Sequence, residues 1–247
     1  MNRDLFIFVP AFNVARELGN LLESIPPEVL MRTREILIVD DGSSDETRDV
    51  AERFLKGEIR TRVRIETFSR NQGYGAVVKC GLSRAIELFD SDAVRFAVCL
   101  HGDGQYPAEA ILPMVSKMES SGADIVQGSR LAEKGSARKG KMPLYKFWGG
   151  KFLSFVENLV FKNKLTDRHS GLLAYRTEFL KTLPLKSLSG SFDIDLEILS
   201  IADARKREVS EVPVRTRYAG EKSNLYVIPY GLRVLRISFF KCWGRYG

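Results

Sequence analysis

Seven short apolar runs, each closed by a cluster of polar residues and turn formers, constrain this chain more than any other feature. They are "LFIFV" (5–9), "EILIV" (35–39), "RVRIETF" (62–68), "VRFAVCL" (94–100), "ADIVQ" (123–127), "GLLAY" (171–175) and "SEVPVRT" (210–216). Between the early runs lie amphipathic stretches of helical length, near 15–25, 45–56, 74–89 and 108–120. Strands and helices taking turns in this way predict an α/β fold with a Rossmann-like, mostly parallel central sheet flanked by helices. Sheets of this kind bind ligands in the crevice beyond the carboxyl ends of their strands. The residues that follow each run are therefore the candidate site.

Those residues form a consistent set: "PAFN" (10–13), "DDGSSD" (40–45), "SRNQGYG" (69–75), "HGDGQYP" (101–107) and "GSR" (128–130). Asp40 and Asp41, adjacent at a strand end, suit a base edge and a ribose hydroxyl, while Asp45 or Ser44 is placed to cap the next helix. "NQGYGAVVK" has Val78 where G-x-G-x-x-G needs its third glycine, so it predicts a tight strand-to-helix turn with Lys79 near a phosphate. Asp103 and Gln105 offer two oxygen donors two residues apart. Magnesium and manganese prefer such donors and accept phosphate oxygens for the rest of the shell.

Among 247 residues, 38 Lys and Arg against 31 Asp and Glu leave a net charge of +7, which favours anionic partners. Nucleic acid is not among those expected, because the interleaved aromatic and basic pattern it requires is missing. Cys80, Cys99 and Cys242 lie too far apart for a metal or disulfide framework, which fits a reducing compartment. The apolar run before Pro10 is too short for a signal peptide, and Arg233, Arg236 and Lys241 interrupt the last apolar stretch, so no membrane span is expected.

The pattern changes after residue 130. Residues 131–143 read as a basic loop, and a helix from 144 to 162 carries Leu144, Trp148, Phe152, Phe155 and Leu159 on one stripe. Ile228, Leu232, Leu235, Phe239 and Trp243 repeat the stripe at the end of the chain. By default each stripe is a core face. The basic loop 134–141 beside the first, and Arg233, Arg236, Lys241 and Arg245 around the second, favour instead helices lying on an anionic bilayer. The expected organisation is a domain over 1–224 and an amphipathic, basic-aromatic helix over 225–247. The expected location is cytoplasmic, peripheral to the cytoplasmic face of the membrane.

"FVPAFN", "LIVDDGSSDET", "NQGYGAVVKCGL", "LHGDGQYP", "GSR", "LTDRHSGLLAYR", "SFDIDLEIL" and "VPVRTRYAGEKS", in this order, resemble family-2 glycosyltransferases of the GT-A fold over residues 5–224. Within the family the chain is most similar to the dolichol-phosphate mannose synthases and their bacterial polyprenyl-phosphate relatives. The resemblance implies a nucleotide-sugar donor, UDP- or GDP-linked, a divalent metal (Mg2+ or Mn2+), and inversion at the anomeric carbon. It implies that Pro10, Ala11, Phe12 and Asp40 or Asp41 hold the nucleoside, with Lys79, His101 and Gly102 beside it. Asp103 and Gln105 would take the metal, Arg130, Arg217 and Lys222 the donor diphosphate and acceptor phosphate, and Asp103, Arg130 and Asp167 would form the catalytic group.

Two positions depart from the family pattern. Val14 replaces an acidic residue, and the family's D-x-D reads His101–Gly102–Asp103. His101 has three readings: a manganese ligand, a ribose contact, or the end of a strand. The expected activity is transfer to a polyprenyl phosphate at a membrane surface. One alternative is transfer to a glycan hydroxyl, for which Asp167, Asp193, Asp195 and Glu197 are the candidate bases. The other is a nucleotide-sugar-binding module without turnover. The "SFDIDLEIL" segment also reads as a capped helix with Asp195 on a solvated face.

Overall fold

The computed structural model describes residues 3–55, 62–92, 94–133, 135, 140, 142–216, 227–243 and 246. All seven predicted strands are present: β1 (Leu5–Ala11), β2 (Thr33–Asp40), β3 (Val63–Thr67), β4 (Phe96–Cys99), β5 (Ile125–Ser129), β6 (Leu173–Arg176) and β7 (Val209–Pro213). They form one sheet in the order β3-β2-β1-β4-β6-β5-β7. β1 to β4 pair in parallel and so do β5 and β7, whereas β6 runs antiparallel to both its neighbours.

Each residue from Leu5 to Val9 is fully buried, as expected of a central strand covered on both faces. Side chains alternate across the sheet. Leu5, Ile7 and Val9 enter the core formed with α1 (Ala15–Glu23), α2 (Pro27–Arg32), α3 (Thr47–Phe54) and α5 (Ile111–Ser121), the last preceded by a 3-10 turn at Ala108–Ala110. Phe6 and Phe8 enter the opposite core with α4 (Tyr74–Asp92), α7 (Thr177–Leu180) and α8 (Ile194–Ala204). A Cβ at Gly81 of α4 would lie 2.9 Å from Phe8 Cε2 and closer still to two other ring carbons. Gly81→Ala is expected to cost about 2 kcal/mol through overpacking, despite alanine's better helix propensity, and to lower the melting temperature by roughly 5 °C. A calorimetric scan checks it.

The two late helices, α6 (Leu144–Val160) and α9 (Val227–Cys242), correct the default reading of their stripes. They pack through other faces, around Phe161, Leu196, Val234 and Ile237, with Leu153, Val160 and Tyr230 at the edge. Leu144, Trp148, Phe152, Phe155, Leu159, Leu232, Leu235, Phe239 and Trp243 are instead 44–78% exposed. Lys241 departs from the expected basic fringe: it is buried in an ion pair with Asp203 at 2.5 Å and lies over the Phe161 ring. Arg138 and Arg245, expected on that fringe, lie outside the described residues.

Candidate active site at the strand ends

Hydrogen bonds stitch the loops after β1 and β2 into one rim. The Pro10 carbonyl accepts from Gly102 N at 2.9 Å and the Ala11 carbonyl from Asp41 N at 2.9 Å. Asn13, in the left-handed region with φ 54°, accepts from Ser44 N through its side chain, and its own N–H donates to Ser43 Oγ. Phe12, between these anchors, is half-buried. Asp40 Oδ1 takes both the N–H and the hydroxyl of Ser43, closing the turn.

Asp41 has less freedom than expected. Both its oxygens accept backbone amides, from Gln72 at 2.7 Å and Gly73 at 3.0 Å, so it fixes the loop before α4. Asp45 does more than cap the following helix. It accepts from Thr47 N and Oγ1 at the start of α3 and from Ala15 N at the start of α1. Burial opposes its charge, but those bonds outweigh it and hold the carboxyl below its usual range. Lys79 is a further correction: its ammonium bonds the Leu188 carbonyl and is directed at the 188–190 turn rather than at a phosphate.

In "HGDGQYP" Asp103 Oδ1 accepts from Gln105 N at 3.0 Å, a tight turn that needs the positive φ of Gly104 (66°). The second oxygen of Asp103 and the half-buried Gln105 side chain remain for a ligand. Among the described residues no three His, Cys, Asp or Glu converge as a metal cage. Two oxygen donors, from Asp103 and Gln105, would leave most of a divalent cation's shell to be supplied by phosphate oxygens or water, as is common for magnesium.

His101 is built into the site. Its Nε2 lies 3.2 Å from the Tyr74 hydroxyl, its ring meets Tyr74 and Tyr106 at centroid distances of 5.4 and 5.5 Å, and a Cβ at Gly171 would lie 2.7 Å from Cε1. Burial lowers its pKa, against the pull of Asp103, so the ring is neutral near pH 7. Nε2 is engaged by Tyr74, which leaves Nδ1 as the ring nitrogen for any ligand contact.

The antiparallel β6 brings "TDRHSG" to the same edge. Cys99 and Gln127 both face Leu173, so the residues before β6 lie against the ends of β4 and β5. There Arg130 grips the fully buried Asp167 through Nε at 2.6 Å and Nη2 at 2.9 Å, and its backbone N–H adds a third contact. Desolvation would raise the Asp167 pKa, but the Arg130 charge and hydrogen bonds more than reverse it. A carboxylate so held is a poor proton acceptor, which corrects its reading as a base. Its neighbour His169 bridges Glu157 of α6 at 3.1 Å and the Tyr230 hydroxyl of α9 at 3.0 Å.

Two of the other candidate bases are also occupied. Asp193 pairs with Arg233 at 3.2 Å, and Glu197 accepts Ser189 N at 2.6 Å. Asp195 is not on a solvated face: it accepts from the Tyr74 hydroxyl at 2.9 Å, and desolvation, partly offset by that bond, pushes its pKa up to about 7. Tyr74, Tyr106 and Gly171 line the candidate site and were not singled out from the sequence, although all three stand inside quoted motifs. Arg217 and Lys222, expected at the phosphates, lie outside the described residues.

A sequence profile for glycosyl transferase family 2 matches residues 6–183. The chain belongs to that family. This family 2 glycosyltransferase is 28% identical over 224 residues to a UDP-N-acetylglucosamine–dolichyl-phosphate N-acetylglucosaminyltransferase of Methanococcus voltae, covering 87% of this chain and 86% of the relative. It is 28% identical over 184 residues to the dodecaprenyl-phosphate galacturonate synthase of Rhizobium johnstonii, covering 74% of this chain and 50% of that one. Its fold matches a glucosyl-3-phosphoglycerate synthase of Mycobacterium tuberculosis, solved with Mn2+, UDP and glucosyl-3-phosphoglycerate. The TM-score is 0.62 at 16% identity, over 98% of this chain and 80% of that one. The GT-A architecture expected from the motifs is the one observed.

Proposed function

We propose that this glycosyltransferase moves a sugar, with inversion, from a nucleoside-diphosphate sugar to a polyprenyl phosphate of the dolichyl type at a membrane surface. The observation that carries the reading is the pair of exposed apolar stripes on α6 and α9, two helices that also supply Glu157, Tyr230 and Arg233 to the neighbourhood of the site. Water-exposed Trp and Phe gain about 25 cal/mol for each Å² they bury in the acyl boundary. No described helix is long and apolar enough to cross a membrane, so the stripes suit helices that lie flat. Relatives named for dolichyl- and dodecaprenyl-phosphate acceptors support the same acceptor class.

The chemistry follows from the residues present. A bound divalent metal would neutralise charge on the leaving diphosphate, and Asp103 with Gln105 would hold it. The rim built by Pro10, Ala11, Phe12 and Asp40 would seat the nucleoside. Ion pairs or amide hydrogen bonds occupy three of the four carboxylates that could act as a base. That suits a phosphate acceptor, which is anionic near neutral pH and needs no base. Positioning and charge neutralisation then supply the rate.

The test uses vesicles of anionic lipid with and without polyprenyl phosphate. Binding and transfer are expected to depend on the vesicles. The combined substitutions Trp148→Ser, Phe152→Ser and Phe239→Ser are expected to weaken vesicle binding at least a hundredfold, at about 1.5 kcal/mol or more for each buried aromatic. Nucleotide binding should stay intact. Equal transfer to a soluble glycan without vesicles would favour the hydroxyl-acceptor reading.

A further inference from the structure

His101 stands where the family pattern has an acidic residue, and three elements fix its ring. The Tyr74 hydroxyl has one proton and three neighbours, Asp195 Oδ2 at 2.9 Å, His101 Nε2 at 3.2 Å and the weaker Cys99 Sγ at 3.9 Å. When Asp195 is ionised it can only accept, so the Tyr74 proton points to it and the Tyr74 oxygen becomes the acceptor for His101. A neutral imidazole that donates from Nε2 has its lone pair on Nδ1. When Asp195 is protonated the chain can reverse: Asp195 donates to Tyr74, Tyr74 donates to Nε2, and the ring proton moves to Nδ1.

We propose that Asp195 and Tyr74 are positioning residues that set the tautomer of His101, so that the ionised relay makes Nδ1 a neutral hydrogen-bond acceptor for a donor hydroxyl. His101 then keeps the hydrogen-bond polarity of the carboxylate it replaces without its charge. That last step rests on the nucleotide-sugar reading, whereas the relay itself does not.

The groups around Asp195 suit such a relay. Tyr74 of α4, Cys99 of β4, Tyr175 of β6 and Tyr230 of α9 face it, and none carries positive charge. Among the described residues no cation pairs with it. Burial raises Tyr74, Tyr175 and Cys99 well above their ordinary values, so Asp195 is the group that changes state near neutrality. Phe192 stacks on Tyr74 at 5.2 Å and the missing Cβ of Gly171 admits the imidazole, so neither ring is free to turn away.

The chain has only two histidines, so long-range proton–nitrogen NMR on histidine-labelled protein resolves both rings. His101→Asn identifies the signals. About one pH unit above the Asp195 midpoint of about 7, His101 is expected with its proton on Nε2; one unit below, on Nδ1. In Tyr74→Phe and in Asp195→Asn this exchange should vanish. The same proton position in all three proteins at both pH values overturns the relay. Exchange that persists in Tyr74→Phe overturns the part given to Tyr74. In transfer assays either variant should raise the donor KM about tenfold, the equivalent of one well-placed hydrogen bond, more than it lowers kcat. An unchanged KM alongside the expected NMR change would reject the donor contact and leave the relay standing.

Discussion

Asp103→Asn is expected to reduce transfer about a thousandfold while leaving the fold intact, a loss in the range seen when one preorganised electrostatic group is removed from a reacting centre. The substitution is chosen because the asparagine oxygen can still accept the Gln105 N–H that closes the turn, so only the charge and one ligand oxygen change. Asp103 is also partly exposed, which keeps the stability cost small. Two measurements separate the readings. In wild type, UDP or GDP should raise the melting temperature with magnesium or manganese and much less with chelator, since a ligand bound only by the folded state stabilises it by mass action. In Asp103→Asn the metal-dependent part of that shift should disappear. Nucleotide binding without turnover under any metal would instead indicate that Val14 and His101 have left a binding module.

The sheet was legible because a buried strand needs an unbroken apolar run and every run ended in turn formers. Its polarity was not. "GLLAY" has the same composition whether it runs up or down, yet its antiparallel direction is what brings Asp167 and His169 to Arg130. α2 escaped notice because "IPPEVLMR" looks like a break, although proline at the first helical position is favourable.

Asp41 reads as a ligand contact from its place at a strand end, and Lys79 from the glycine-marked strand-to-helix turn before it. Backbone groups claim them instead, because loops this tight must satisfy their own amides and carbonyls. The stripes on α6 and α9 show a related limit of sequence periodicity. A repeat of three and four residues defines an apolar face, and nothing in the repeat says what covers it. Phe161 and Leu196 cover other faces of these helices and leave the stripes bare.

Asp167→Ala is expected to destabilise the protein by about 3–5 kcal/mol, because it removes the fully buried carboxylate that the largely buried Arg130 grips. The loss should exceed that of Arg130→Ala combined with Asp167→Ala, in which both partners of the buried pair are removed together. A double-mutant cycle in denaturant measures the difference. Asp167→Asn gives the pH signature. In the folded protein the Asp167 carboxyl titrates below its ordinary value of 3.8, so its ionised form contributes stability at every pH above that value. The contribution is lost as pH falls through the lower folded pKa. The stability gap between wild type and Asp167→Asn should therefore be constant from neutral pH down to about 4 and should narrow only in stronger acid. A gap that instead closed between pH 6 and 8 would mean that Asp167 titrates near neutrality. Proton acceptance would then return to this carboxylate, and a hydroxyl acceptor would become the better match for the site.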